Sequence, residues 1–143
     1  MKLVCPEFKN YDYIPQKFTC EGKNINPTLI IEDIPKGTKS LALVVYDPDA
    51  PGGTFVHWLV YDIPVTNKIE EDTIPGKQGS NNMDRKSYGG PCPPRGNPHH
   101  YFFKMYALVT ELNFSNGIDM QTLEKSVKGK ILDTAELIGL YKR

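Results

Sequence analysis

Residues 40–63 read SLALVVYDPDAPGGTFVHWLVYDI, and this stretch decides the fold. Two apolar runs, Ser40 to Tyr46 and Thr54 to Ile63, flank a turn rich in Asp, Pro and Gly. Their content of Val, Leu and aromatic residues suits a pleated, buried surface, and the turn residues end each run. Because side chains alternate along a strand, Phe55, Leu59 and Tyr61 fall on one side of the second run, and Val56, Trp58 and Val60 on the other. Both sides are apolar, so both must be covered. Two antiparallel sheets packed face to face, with part of one outer face covered by loops or a helix, meet that demand.

Working outward, Thr28 to Glu32 and Tyr101 to Val109 read as further strands. The twelve prolines and twelve glycines punctuate the chain at short intervals, as in an all-β domain. Met120, Leu123, Val127 and Ile131 share one helical face behind Asp119, a good N-cap, and Gly129 weakens the last turn. Ala135 to Tyr141 then alternates like a final strand, with a helix continuing to Leu137 as the competitor. The expected class is mainly β, an antiparallel β-sandwich with a short C-terminal helix, in one domain over residues 1–143. The polar stretch from Asn67 to Pro98 is rich in turn residues, and so long a loop in a compact domain is usually functional.

Lys plus Arg and Asp plus Glu each total 17, so the chain lacks the basic footprint that a nucleic-acid partner requires. The longest apolar run, Leu41 to Tyr46, falls far short of the roughly 20 residues that cross a bilayer. No apolar leader core follows Lys2, which places the chain in the cytoplasm. Cys5, Cys20 and Cys92 form an odd set without Cys-x-x-Cys spacing. That pattern argues against a disulfide framework and a structural zinc site, and predicts reduced thiols.

Three islands carry chemistry: Asp47-Pro48-Asp49-Ala50-Pro51, the His57-Trp58 pair inside an apolar strand, and Gly89 to Pro94 leading to His99-His100-Tyr101. Asp47 shares the strand parity of Val45 and Leu43, so its carboxylate ends a buried row. An Asp before Pro also commonly starts a turn. His57 must find a hydrogen-bond partner among apolar neighbours, as a lone core histidine usually does. His99 shares the parity of Tyr101, Phe103 and Met105, while His100 faces the other way. Asp47, His57, His99 and Tyr101 together offer donors, an acceptor and a switchable charge, a set suited to a phosphate or carboxylate. An acid–base hydrolase using Asp47, His57 and His99, with Cys92 as nucleophile, is the catalytic alternative. No recognised metal spacing links Asp47, Asp49, His57 and His99, so neither metal nor cofactor is expected. The cis or trans state of Asp47-Pro48 and Pro93-Pro94 is open at this level.

The Asp-Pro-Asp-Ala-Pro island, the His-Trp strand, Tyr88-Gly89-Gly90-Pro91-Cys92-Pro93-Pro94 and the His-x-Tyr pair resemble the phosphatidylethanolamine-binding proteins. The nearest branch is the bacterial and archaeal one often called Raf-kinase-inhibitor-like. The resemblance runs from Asn26-Pro27 to the closing Ala135 to Tyr141 segment. It implies a β-sandwich with a pocket for phosphate-like or carboxylate anions, and a small anionic ligand or a phosphorylated protein partner. It places the pocket on Asp47, His57, His99 and Tyr101, with Asp49 as the second motif aspartate and Gly90 as a loop glycine whose amide faces the ligand. Two departures stand out: His100 where relatives often carry arginine, and Asn82 where bacterial relatives often carry aspartate. Bacterial relatives can form homodimers, and no residue here decides that point.

Overall fold

The computed structural model describes all residues, 1–143. In chain order the strands are β1 (Lys2–Val4), β2 (Asp12–Tyr13), β3 (Leu29–Glu32), β4 (Ser40–Asp47), β5 (Phe55–Ile63), β6 (Lys68–Ile69), β7 (Lys77–Gln78), β8 (His99–Leu108) and β9 (Ile131–Tyr141), with one helix, α1 (Met120–Val127), before β9. They build a six-stranded sheet in the order β2-β9-β8-β4-β5-β7 and a three-stranded sheet in the order β1-β3-β6. The long strands β5, β4, β8 and β9 pair antiparallel with their neighbours.

The expected two-sided burial is met on β4. Leu41, Leu43 and Val45 enter a core cluster of 21 buried residues that also takes in Leu3, Leu29 and Ile31 from the smaller sheet. Ala42 and Val44 face the opposite way, into a cluster of nine completed by Leu123 and Val127 of α1. Each buried Leu or Val among them contributes roughly 1.5–3 kcal/mol, so β4 is fixed from both faces.

On β5 simple alternation fails, and the failure positions the site. Val45 pairs with Trp58 and Tyr46 with Val56, which leaves His57 as an extra residue in a β-bulge. The chain therefore changes parity at His57. Trp58 and Val60 face the large core, while Val56 joins Leu59 and Tyr61 on the α1 side. The alternation expected for Phe55 and Val56 is thereby corrected, and Phe55 pairs with Asp47 at the end of the ladder.

Asp119 caps α1, accepting a hydrogen bond from the Thr122 amide at 2.8 Å. The helix ends at Val127, two residues before Gly129, whose φ of +74° favours glycine. Ile131 consequently opens β9 instead of extending the helical face, and the helix reaching Leu137 is replaced by a strand. All peptide bonds are trans, Asp47-Pro48 and Pro93-Pro94 included.

Candidate functional site

Asp47 closes β4, and β4 lies between β5, which carries His57, and β8, which carries His99 and Tyr101. Three neighbouring strands thus deliver four polar side chains to one end of the large sheet. Asp47, His57 and Tyr101 are buried, with exposures of 3%, 5% and 0%. The His57 and Tyr101 rings meet edge to face with centroids 5.3 Å apart, and Phe55 tilts over His57 at 5.0 Å. These four residues, with His99, line one cavity of about 280 Å³.

The hydrogen bonds fix what each group can offer. His99 Nδ1 lies 2.6 Å from Asp47 Oδ2, and the other Asp47 oxygen accepts the Asp49 amide at 2.7 Å. Both carboxylate oxygens are therefore engaged within the protein. His57 Nδ1 lies 2.8 Å from the Gly89 carbonyl, which can only accept, so this nitrogen carries the proton. Burial lowers the His57 pKa from its ordinary 6.5, against the raising effect of Gly89 and the Asp47 charge. In the neutral ring Nε2 is consequently an acceptor. The Tyr101 hydroxyl is fully buried and makes no hydrogen bond. Burial first, then the Asp47 charge and the nearness of that carboxylate to the hydroxyl, hold this phenol protonated by raising its pKa. Tyr101 therefore presents a buried donor near the Asp47 carboxylate that lacks a hydrogen bond of ordinary geometry.

Asp49 lies outside the cavity lining. Its Oδ2 accepts from the His100 amide at 2.9 Å and sits 2.6 Å from His100 Nδ1, so the two form an exposed pair at the rim. Burial of Asp49 opposes the lowering of its pKa, and the His100 hydrogen bonds outweigh it. Gly90 does line the cavity, but its amide donates to Asn24 Oδ1 at 2.7 Å. It contributes wall in place of the ligand-facing donor that resemblance implied. Asn82 accepts from the Val56 amide at 2.6 Å and clips the bulged strand from outside the cavity.

The apolar lining comes mostly from the islands that also carry the polar residues, with Met83 as the addition from elsewhere in the long loop. Ala50 and Pro51 come from the Asp-Pro-rich island, and Met83, Pro93 and Pro94 from the long loop. Met83 is seated where a side chain on Gly89 would stand, since a Cβ there would fall 2.0 Å from its methyl. Buried Asn81 shapes this loop: its Oδ1 accepts the Met83 and Arg85 amides, and its Nδ2 donates to the His57 and Ser87 carbonyls.

The expectation of reduced thiols is overturned at Cys20 and Cys92, which are joined in a disulfide across 72 residues. The odd count arises because Cys5 alone is free, buried in the main core. No three His, Cys, Asp or Glu side chains are grouped to hold a metal ion. A larger groove of about 500 Å³ lies between α1 and the outer sheet face, lined by Tyr46, Lys104 and Tyr106. It contains no imidazole, whereas three buried side chains with polar groups, Asp47, His57 and Tyr101, converge on the smaller cavity.

The chain is thus a two-sheet β-sandwich with a small polar-ended cavity at a strand terminus. Residues 5–142 match the family model for phosphatidylethanolamine-binding protein, and the chain belongs to that family. A UPF0098 protein of Aquifex aeolicus is 49% identical, with the match covering 100% of this chain and 89% of that one. The UPF0098 protein PH1269 of Pyrococcus horikoshii is 47% identical over 98% of this chain and 76% of its own. Among solved structures, the putative phosphatidylethanolamine-binding protein homolog CT736 of Chlamydia trachomatis superposes with a TM-score of 0.95 at 36% identity, covering 99% of this chain and 97% of its own. YbcL of E. coli, described as a new member of the mammalian family, gives 0.92 at 32% identity, covering 99% and 98%. No helix is long and apolar enough to cross a membrane.

Proposed function

We propose that the chain is a non-catalytic binding protein whose Asp47–His57–His99–Tyr101 cavity holds a phosphate-like or carboxylate group. The observation that carries this reading is the Tyr101 hydroxyl, a buried donor with no partner in a cavity it shares with two imidazoles. Leaving such a group unpaired costs about 1–3 kcal/mol, a cost that a bound anion would remove. The Asp47 charge still acts on the cavity, and His99 and the Asp49 amide, which donate to its two oxygens, counter it only in part, so an anion must be held by the remaining donors. At about 280 Å³ the cavity suits one small group, free or carried on a phosphorylated protein side chain. The cytoplasm is the proposed compartment. In the hydrolase alternative Asp47 would orient His99, but Cys92 is bonded to Cys20 and is no longer a nucleophile.

The test is a two-dimensional NMR titration with inorganic phosphate, acetate and a phosphorylated peptide, using native protein and the Tyr101→Phe variant. Saturable shifts at His57 and His99 are expected, weakened about tenfold or more in Tyr101→Phe, in line with about 1.5–3 kcal/mol for a hydrogen bond to a charged group. Without ligand, the variant should be as stable as native protein or slightly more so, since an unpaired buried hydroxyl is removed. Absence of shifts with all three ligands would sink the anion reading.

A further inference from the structure

The wall of the cavity is held in two different ways along its length. From Tyr88 to Pro91 it is tied by hydrogen bonds. The Tyr88 hydroxyl donates to the Phe18 carbonyl at 2.7 Å, and the Gly89 amide to the His57 carbonyl at 3.1 Å. The Gly90 amide donates to Asn24 at 2.7 Å, and the Cys20 amide to the Pro91 carbonyl at 3.1 Å. From Cys92 onward the ties thin out, although Cys92, Pro93 and Pro94 all line the cavity. Prolines donate no backbone hydrogen bond. What remains is the disulfide, Arg143 Nε donating to the Pro93 carbonyl at 2.6 Å, and the Gly96 amide donating to the Arg143 carbonyl at 3.3 Å.

Both half-cystines are exposed to solvent, and accessible disulfides are the ones that exchange with thiols. The segment bearing Cys20 stays anchored without the bond. Tyr141 donates to Glu21 at 2.5 Å, Thr19 Oγ1 donates to the Gln16 carbonyl at 2.8 Å, and the Asn24 amide donates to the Lys17 carbonyl at 3.0 Å. Opening the bond therefore leaves one partner, the segment from Cys92 to Gly96, tied through Arg143 and the buried Pro93 and loosened at Cys92, while the sheets remain paired.

We propose that Cys20–Cys92 is a redox latch on the cavity, which binds anions tightly when the disulfide is closed and weakly when it is open. The proposal rests on the anion-binding reading of that cavity. In the opening step a dithiol reductant attacks one sulfur as thiolate and displaces the other. Its second thiol then closes the reductant's own disulfide. Two electrons pass to the protein, and Cys20 and Cys92 each finish with one proton. With the wall ordered only about a tenth of the time, apparent affinity falls about tenfold.

The experiment compares oxidised protein, protein reduced with dithiothreitol, and the Cys20→Ser/Cys92→Ser double variant, by amide exchange and by inorganic phosphate titration. Thiol alkylation followed by mass spectrometry establishes the redox state of each sample. Reduction under native conditions is expected to speed exchange of the Gly96 amide, which donates to the Arg143 carbonyl, while those of β4, β5 and β8 stay protected, and to weaken phosphate binding about tenfold. The double variant should match reduced protein and ignore dithiothreitol. Unchanged exchange at Gly96, unchanged phosphate affinity, or a loss of sheet protection together with the loop would each overturn the latch. Oxidised protein that fails to bind phosphate removes the anion reading and with it the gating of affinity. Redox-dependent exchange of the loop in that same sample would show that the bond still controls the wall, so the two failures are told apart.

Discussion

His57 is the residue at which stability and binding pull in opposite directions. Its folded pKa lies below the ordinary 6.5 because burial disfavours the imidazolium. Between the folded value and 6.5 the unfolded chain holds more protons at this position than the native one. The stability contributed by a neutral His57 is therefore complete above about pH 6.5 and is lost as pH falls through the folded value. A ligand reverses the sign. The proton on Nδ1 is committed to the Gly89 carbonyl, so Nε2 repels an anion until it gains a proton or meets one carried by the ligand. Phosphate affinity is thus expected to rise as pH falls toward the lowered His57 value of the free protein, by up to about tenfold per pH unit while one proton is taken up. His57→Gln should flatten both profiles. Denaturation midpoints and NMR titrations run from pH 5 to 8 would measure them, and affinity that ignores pH in native protein would remove His57 from the ligand's contacts.

At the scale of elements, the same residues explain what the sequence revealed and what it concealed. The strands were legible because β4 and β5 are apolar on both faces, and the convergence of Asp47, His57, His99 and Tyr101 on one cavity because they are polar groups set at strand ends or within apolar runs. The bulge was not legible: residues 55–61 look alike under either parity, and only pairing with Val45 and Tyr46 shows that His57 is the extra one. Gly90 tests how closely the wall must approach its neighbours. A Cβ there would fall 2.1 Å from the Phe18 carbonyl oxygen, 2.6 Å from Asn24 Oδ1 and 2.9 Å from the Thr19 Cα. Two of these neighbours are backbone, which cannot rotate aside. Gly90→Ala is expected to cost about 1–3 kcal/mol by forcing the Gly89 to Pro94 wall off the Phe18 to Asn24 segment. It should also weaken phosphate binding, because Gly90 lines the cavity. Urea denaturation checks the first effect and titration the second, and an unchanged midpoint would mean that the wall can shift without cost.

For the molecule as a whole, Cys20–Cys92 joins distant parts of the chain, and cysteine spacing could not reveal it. The two residues stand 72 apart in sequence, and they meet because the Tyr88 to Pro91 wall docks on the Phe18 to Asn24 segment. An odd cysteine count points toward free thiols only while each thiol is treated alike. Burial of Cys5 in the main core sets it aside and leaves a pair. Cross-linking so long a loop lowers the entropy of the unfolded chain and typically stabilises by about 2–4 kcal/mol. A domain of ordinary stability, about 5–15 kcal/mol, remains folded after that loss. The Cys20→Ser/Cys92→Ser variant should therefore unfold at lower denaturant concentration by that amount. Its native far-ultraviolet and near-ultraviolet circular dichroism should be retained, because the sheets and both hydrophobic clusters do not pass through the bond. Guanidinium titrations of oxidised, reduced and double-variant protein would measure the difference. Equal midpoints in all three would place the bond outside the cooperative unit, whereas a double variant without near-ultraviolet signal would make the disulfide a condition of folding.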